Sequence, residues 1–249
     1  VRRAALLLVA CCLTAGPARA ELPGLGDGTR TPVDVNAAPW RILGRVQTPL
    51  GTRCTGFLIA PAVIETAAHC LFIARTGRFI PAQDIHFLLG YRDGAFRAHT
   101  VARRYVIAAG YDPRDPQATP FADRAVVVLA EAVGREQDLV PAGRVQAGAA
   151  AMLAGYEQDR PEQAAGDLAC HVTAVLPGPL LAHDCAGTRG VSGAPLLARD
   201  GAGRWRIAGL AVLARAGRGG FATLTGIMTH IDAPSEALSG KALRQMHER

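Results

Sequence analysis

From Cys54 onward the chain is a succession of short apolar runs cut by glycine and proline. "CTGFLIA" (54–60), "AVIETAA" (62–68), "DIHFLLGY" (84–91), "AHTVARRYVI" (98–107) and "RAVVVLA" (124–130) lie in the first half. "AAMLAGY" (150–156), "LACHVTAVL" (168–176), "PLLAHD" (179–184), "APLLAR" (194–199), "RWRIAGLAVLA" (204–214) and "ATLTGIMTHI" (222–231) follow in the second. Apolar runs of this length between turn residues predict β-strands. At this density they predict a sandwich or barrel rather than alternating strands and helices. The polar, turn-rich stretch "EAVGREQDLVPAG" (131–143) is the weakest join, which predicts two β halves, 21–133 and 134–249. One helix is predicted over "DAPSEALSGKALRQMHER" (232–249), which has a capping-type start followed by helix formers, with Gly240 interrupting them.

Residues 1–20 read differently. "VRRAALLLVACCLTAGPARA" has a basic start at Arg2 and Arg3, a short apolar stretch, and "ARA" before Glu21. This is the layout of a secretory signal peptide, too short to span a bilayer, and no later segment is long enough either. "LVAC" at Leu8–Cys11 is an alternative lipoprotein reading, and Arg2-Arg3 an alternative export signal. The expectation is an exported protein, periplasmic or secreted, with no stable membrane insertion once the signal is cleaved. Losing Arg2, Arg3 and Arg19 takes the 27 basic residues to 24 against 21 acidic, and the net charge from +6 to +3. With Lys241 as the sole lysine and no basic block, nothing favours nucleic acid as a partner. The remaining length of about 229 residues is enough for one large or two small domains with a real core.

Four cysteines remain after the signal: Cys54, Cys70, Cys170 and Cys185. An even count in an exported chain points to disulfides, for which three pairings exist. Zinc is the alternative, because His171 and His183 lie close to Cys170 and Cys185. No CxxC or HExxH spacing supports it, and an oxidising compartment works against thiolate ligands. No metal or other cofactor is expected.

Candidate chemistry lies in two short stretches. "HDCAGTRGVSGAPLLA" (183–198) sets Ser192 in a glycine-bounded turn ahead of an apolar strand. Gly190 and Gly193 allow a sharp bend and leave backbone N–H groups uncovered beside the hydroxyl, a suitable place for a developing oxyanion. Taken alone, the same stretch also fits an ordinary glycine-rich turn. Serine is a weak nucleophile that needs a base, and the base needs an orienting carboxylate. "TAAHC" (66–70) offers His69. "FADRAVVVLA" offers Asp123 at the mouth of an apolar strand, with Asp112 and Asp115 in "YDPRDP" as rival acids. Each rival precedes a proline, as in a solvated turn.

These residues resemble the trypsin-like, chymotrypsin-fold serine peptidases, and most closely the bacterial branch that includes glutamyl endopeptidases. "TAAHC" with Cys54 upstream, "GVSGAP", and the order His69, Asp123, Ser192 carry the likeness, which runs from "PWRILGRV" to the C-terminal segment. The resemblance implies two six-stranded antiparallel β-barrels packed face to face, a C-terminal helix, and protein or peptide substrates. It implies His69 as general base, Asp123 as its orienting acid, Ser192 as nucleophile, and the N–H groups of Gly190 and Ser192 as the oxyanion hole. It also implies Cys54–Cys70 and Cys170–Cys185 bridges, the first worth about 3 kcal/mol for so short a loop. His86, His99, His171, His183, His230 and His247 match no motif and read as structural or exposed.

Three departures bear on function. Val191 stands where trypsin has the aspartate that pairs with a newly cut N-terminal amine, so activation of that kind is not expected. Ala211 replaces the specificity histidine of glutamyl endopeptidases, and Ala186 replaces the pocket aspartate of trypsin. A small or apolar residue before the cleaved bond is the resulting default. Two alternatives share these features: a catalytically silent binding protein on the same fold, and a zinc-dependent hydrolase using the Cys/His cluster.

Overall fold

The computed structural model describes residues 30–177, 180–217 and 220–227. Its strands are β1 (Arg30–Pro32), β2 (Leu43–Gln47), β3 (Arg53–Ala60), β4 (Val63–Thr66), β5 (Phe72–Ile73), β6 (Arg78–Phe79), β7 (His86–Leu89) and β8 (Ala98–Ile107). They continue as β9 (Ala125–Leu129), β10 (Ala150–Tyr156), β11 (Ala164–Leu176), β12 (Leu180–His183), β13 (Pro195–Arg199), β14 (Trp205–Gly217) and β15 (Gly220–Ile227). Helical structure among the described residues is confined to single 3₁₀ turns, and none is long and apolar enough to cross a membrane. The protein is all-β. The helix predicted over 232–249 lies outside the described residues.

Six strands close a barrel in the order β2-β3-β4-β9-β8-β7, with β7 returning to β2. A second sheet runs β1-β11-β10-β13-β14-β15-β12, and β11 also pairs with β12. Its seventh strand, β1, is unexpected: the N-terminal segment adds an edge to the second sheet through the pairing of Arg30 with Asp167. The uniformly apolar run of β9 alternates in burial, with Ala125, Val127 and Leu129 buried and Val126 and Val128 half-exposed. In β13 the residues from Pro195 to Ala198 are all buried, so no alternation survives. One apolar core fills the barrel around Phe57 and Phe87 and reaches Met152, Tyr156 and Leu210 of the second sheet. A smaller core gathers Leu153, Val172, Val191 and Leu196.

One barrel residue contradicts its surroundings. Glu65, in β4, is fully buried, and neither carboxylate oxygen has a hydrogen-bond partner. Burial pushes its carboxyl up to about 7, against the pull of the Arg124 charge. With the folded value raised above the ordinary 4.5, its ionised form is disfavoured by the fold. The contribution is therefore nil below the unfolded value, grows as pH rises from 4.5 to about 7, and is a constant loss of about 3 kcal/mol above that. We expect Glu65→Gln to gain stability relative to the parent between pH 5 and pH 8. Urea unfolding at the two pH values measures the difference, and equal behaviour would show that Glu65 is solvated.

Candidate active site

His69 sits in the 3₁₀ turn Ala68–Leu71, which follows β4 directly. Asp123 closes the turn Pro120–Ala122 just before β9, and β9 pairs with β4. That pairing brings residues 54 positions apart into contact. The Asp123 Oδ1 accepts the backbone N–H of His69 at 2.9 Å, and Oδ2 lies 2.6 Å from its Nδ1. The carboxylate is buried, while the imidazole is one-third exposed. A buried carboxylate gripping both main chain and ring fixes the ring's orientation, and with the proton on Nδ1 it leaves the Nε2 lone pair free to accept. The rival acids do none of this: Asp112 and Asp115 accept N–H groups of Arg114 and Ala118 in an exposed turn.

Ser192 lies in the turn between β12 and β13, half-exposed, with no hydrogen bond from its hydroxyl to His69 in this structure. In unliganded hydrolases such bonds often tighten only when substrate arrives. What docks the serine turn against the histidine segment is Thr55, which follows Cys54. Its N–H donates to the Ser192 carbonyl at 2.9 Å, and its carbonyl accepts from the Thr66 hydroxyl at 2.8 Å. Its hydroxyl donates to the Gly190 carbonyl at 2.9 Å and accepts the Tyr156 N–H at 2.8 Å. Gly190 has φ 97° and its missing Cβ would lie 2.3 Å from the Tyr156 carbonyl oxygen, so only glycine fits. Cys54 is bonded to Cys70 and Cys170 to Cys185. With all four cysteines of the described residues oxidised, the zinc alternative finds no thiolates there to use. His171 is exposed beside Asp184, and His183 is buried with its Nδ1 accepting the Cys185 N–H. Burial lowers His183 to about 4, which keeps it neutral.

Val191 is buried in the smaller core, as an apolar residue in that place should be. The charge arrangement near it comes from elsewhere. Arg30 of β1 is hydrogen-bonded to Glu157 and pairs with Asp159 at 2.6 Å, and Glu157 Oε1 accepts the Thr188 N–H at 3.0 Å. The Asp159 hydrogen bond raises Arg30, and Arg30 lowers Asp159 in turn. Burial raises Glu157 while Arg30 pulls it back. A cation from the N-terminal strand thus anchors the loop that leads to Ser192 through Glu157, not through an acid at position 191. Asp167 contributes similarly, its Oδ2 accepting the Ala186 N–H at 3.0 Å. Thr55, Glu157, Asp167 and Arg30 all escaped the sequence reading. Only Glu157 left a trace, as a charge directly after the apolar run 150–156.

Arg30→Gln should cost about 3–5 kcal/mol, because it leaves the Glu157 charge buried without a counter-ion. The double change with Glu157→Gln should recover more than half of that. Denaturant unfolding of the set decides it. Equal losses in single and double variants would mean that the guanidinium acts only by packing.

The fold and the site define a chymotrypsin-type peptidase scaffold, and the trypsin family matches residues 28–234; the chain belongs to that family. A solved structure of a Glu endopeptidase in complex with MPD is similar at a TM-score of 0.68, with 20% identity over 84% of this chain and 95% of that one. At that identity the likeness extends to the fold. No curated protein matches the chain. Membership of the trypsin family implies peptide substrates.

Proposed function

We infer that the protein is an exported serine endopeptidase acting through His69, Asp123 and Ser192 and an acyl-enzyme intermediate. The observation that carries this reading is the two-point grip of Asp123 on His69. His69 Nε2 takes the Ser192 proton as the hydroxyl attacks the peptide carbonyl, and then returns it to the leaving amine. Asp123 stabilises the imidazolium in between. The N–H groups of Gly190 and Ser192 receive the negative charge that develops on the carbonyl oxygen. The second sheet is read as the family's second barrel. Export to the periplasm or beyond is supported by the character of residues 1–20 and by two disulfides, which suit an oxidising compartment.

A fluorophosphonate probe should label the protein at Ser192, and Ser192→Ala should abolish labelling. Ser192→Ala should also lower peptide hydrolysis by roughly five to six orders of magnitude with the unfolding transition unchanged. A folded protein that neither reacts with the probe nor cleaves peptides would favour the silent binding protein instead.

A further inference from the structure

Beside Gly190, where the barrel meets the second sheet, lies a cavity of about 220 Å³ with Arg45, Arg53 and Arg189 in its wall. One acid, Glu157, also lines it, but its oxygens are already engaged by Arg30 and the Thr188 N–H. Arg53 and Arg189 are exposed, and their side chains make no hydrogen bond or ion pair among the described residues. Arg45 is different: it is 94% buried by its 6% exposure, stacked over Tyr91 at 3.5 Å, and donates from Nη1 to the Pro161 carbonyl. Its Nη1 also lies 3.5 Å from Glu162, whose other oxygen accepts from the Tyr91 hydroxyl. The Arg45 Nε is nevertheless buried with no partner. A desolvated guanidinium donor without an acceptor is unfavourable unless something supplies one. Two free guanidinium groups at the same cavity make an anion the suitable acceptor, and their planar forks match a carboxylate.

We propose that this cavity is a carboxylate-recognition site that binds an acidic side chain of the peptide substrate. Resting on the peptidase reading, it assigns substrate preference to Arg53 and Arg189, with Arg45 as the buried floor. A peptide whose carbonyl oxygen reaches the Gly190 N–H passes the rim of the cavity, because Gly190 is part of both. Its volume suits one side chain rather than a large polyanion. Neither Ala186 nor Ala211 lines it, so the preference is separate from the replaced specificity positions.

The test uses matched peptides carrying a single Glu or Gln, walked across three positions on each side of the cleaved bond. kcat/KM is measured for the parent, Arg53→Gln, Arg189→Gln and the double variant. The Glu/Gln ratio is the readout, since any change in the amount of folded enzyme cancels in it. One position should favour Glu at least tenfold, each single change should reduce the ratio, and the double change should bring it within twofold of unity. A ratio below two at every position, or one that survives the double change, overturns the proposal. Equilibrium binding of the same Glu and Gln peptides to Ser192→Ala protein separates the two claims. If Glu is preferred there and the preference disappears with both arginines, the site stands even for a protein that cleaves nothing. If inorganic phosphate binds while the peptides are not discriminated, the cavity is a free-anion site and the proposal fails.

Discussion

Asp123→Asn is expected to lower kcat by about 10⁴-fold at neutral pH with the fold intact. The reason lies in the two oxygens. Oδ1 accepts the main-chain N–H of His69 and Oδ2 faces Nδ1, so an asparagine would keep its oxygen on the main-chain donor. Its NH₂ would then face Nδ1 and force the imidazole proton onto Nε2, leaving no lone pair to accept from Ser192. Asp123→Ala should lose catalysis similarly, but also stability, since the His69 N–H is left unsatisfied in a partly buried place. Steady-state rates beside an unfolding curve test the distinction. A loss below tenfold for the asparagine would mean that Asp123 holds the turn without serving the base.

Gly193→Ala should be among the most damaging single methyls in the described region. Its φ of 81° is strained for alanine, and a Cβ there would lie 2.3 Å from the Thr55 carbonyl oxygen and 2.9 Å from the Ala67 nitrogen. Neither is a flexible side chain that can swing away. The left-handed conformation costs about 1–2 kcal/mol, and the backbone collision adds at least as much, about 1–3 kcal/mol. Gly203→Ala supplies the control, because φ is 75° there and nothing lies within 4 Å. It should cost only the conformational part, about 1–2 kcal/mol. Denaturant midpoints would reveal the gap, and the Gly193 variant should also lose hydrolysis because the Ser192 turn is pushed off Thr55. Equal costs at the two glycines would show that the contact between the serine turn and the barrel is loose.

The strands were legible because burial on one face of a strand leaves a local trace. "AHTVARRYVI" and "AAMLAGY" coincide with β8 and β10, since each is a β-rich run closed by turn residues. β1 and β2 left weaker traces: three residues at an edge carry no period, and four successive buried residues in β2 carry no alternation. The candidates His69, Asp123 and Ser192 were also legible, because a hydroxyl between glycines, an imidazole beside a cysteine and a carboxylate at the mouth of an apolar strand are distinctive in their local settings. The contact of Asp123 with His69 was not. The sequence by itself determined the all-β character, the family and the candidate residues. The tertiary structure alone decided that β4 beside β9 delivers Asp123 to His69, and that Thr55 seats the serine turn. It alone decided that Arg30 reaches Glu157 across 127 positions, that Glu65 is buried without partners, and that Arg45, Arg53 and Arg189 share one cavity. The physical reason is that hydrophobic patterning reports which side of an element faces inward. Which distant charge or backbone group it meets there depends on strand pairing across the whole chain.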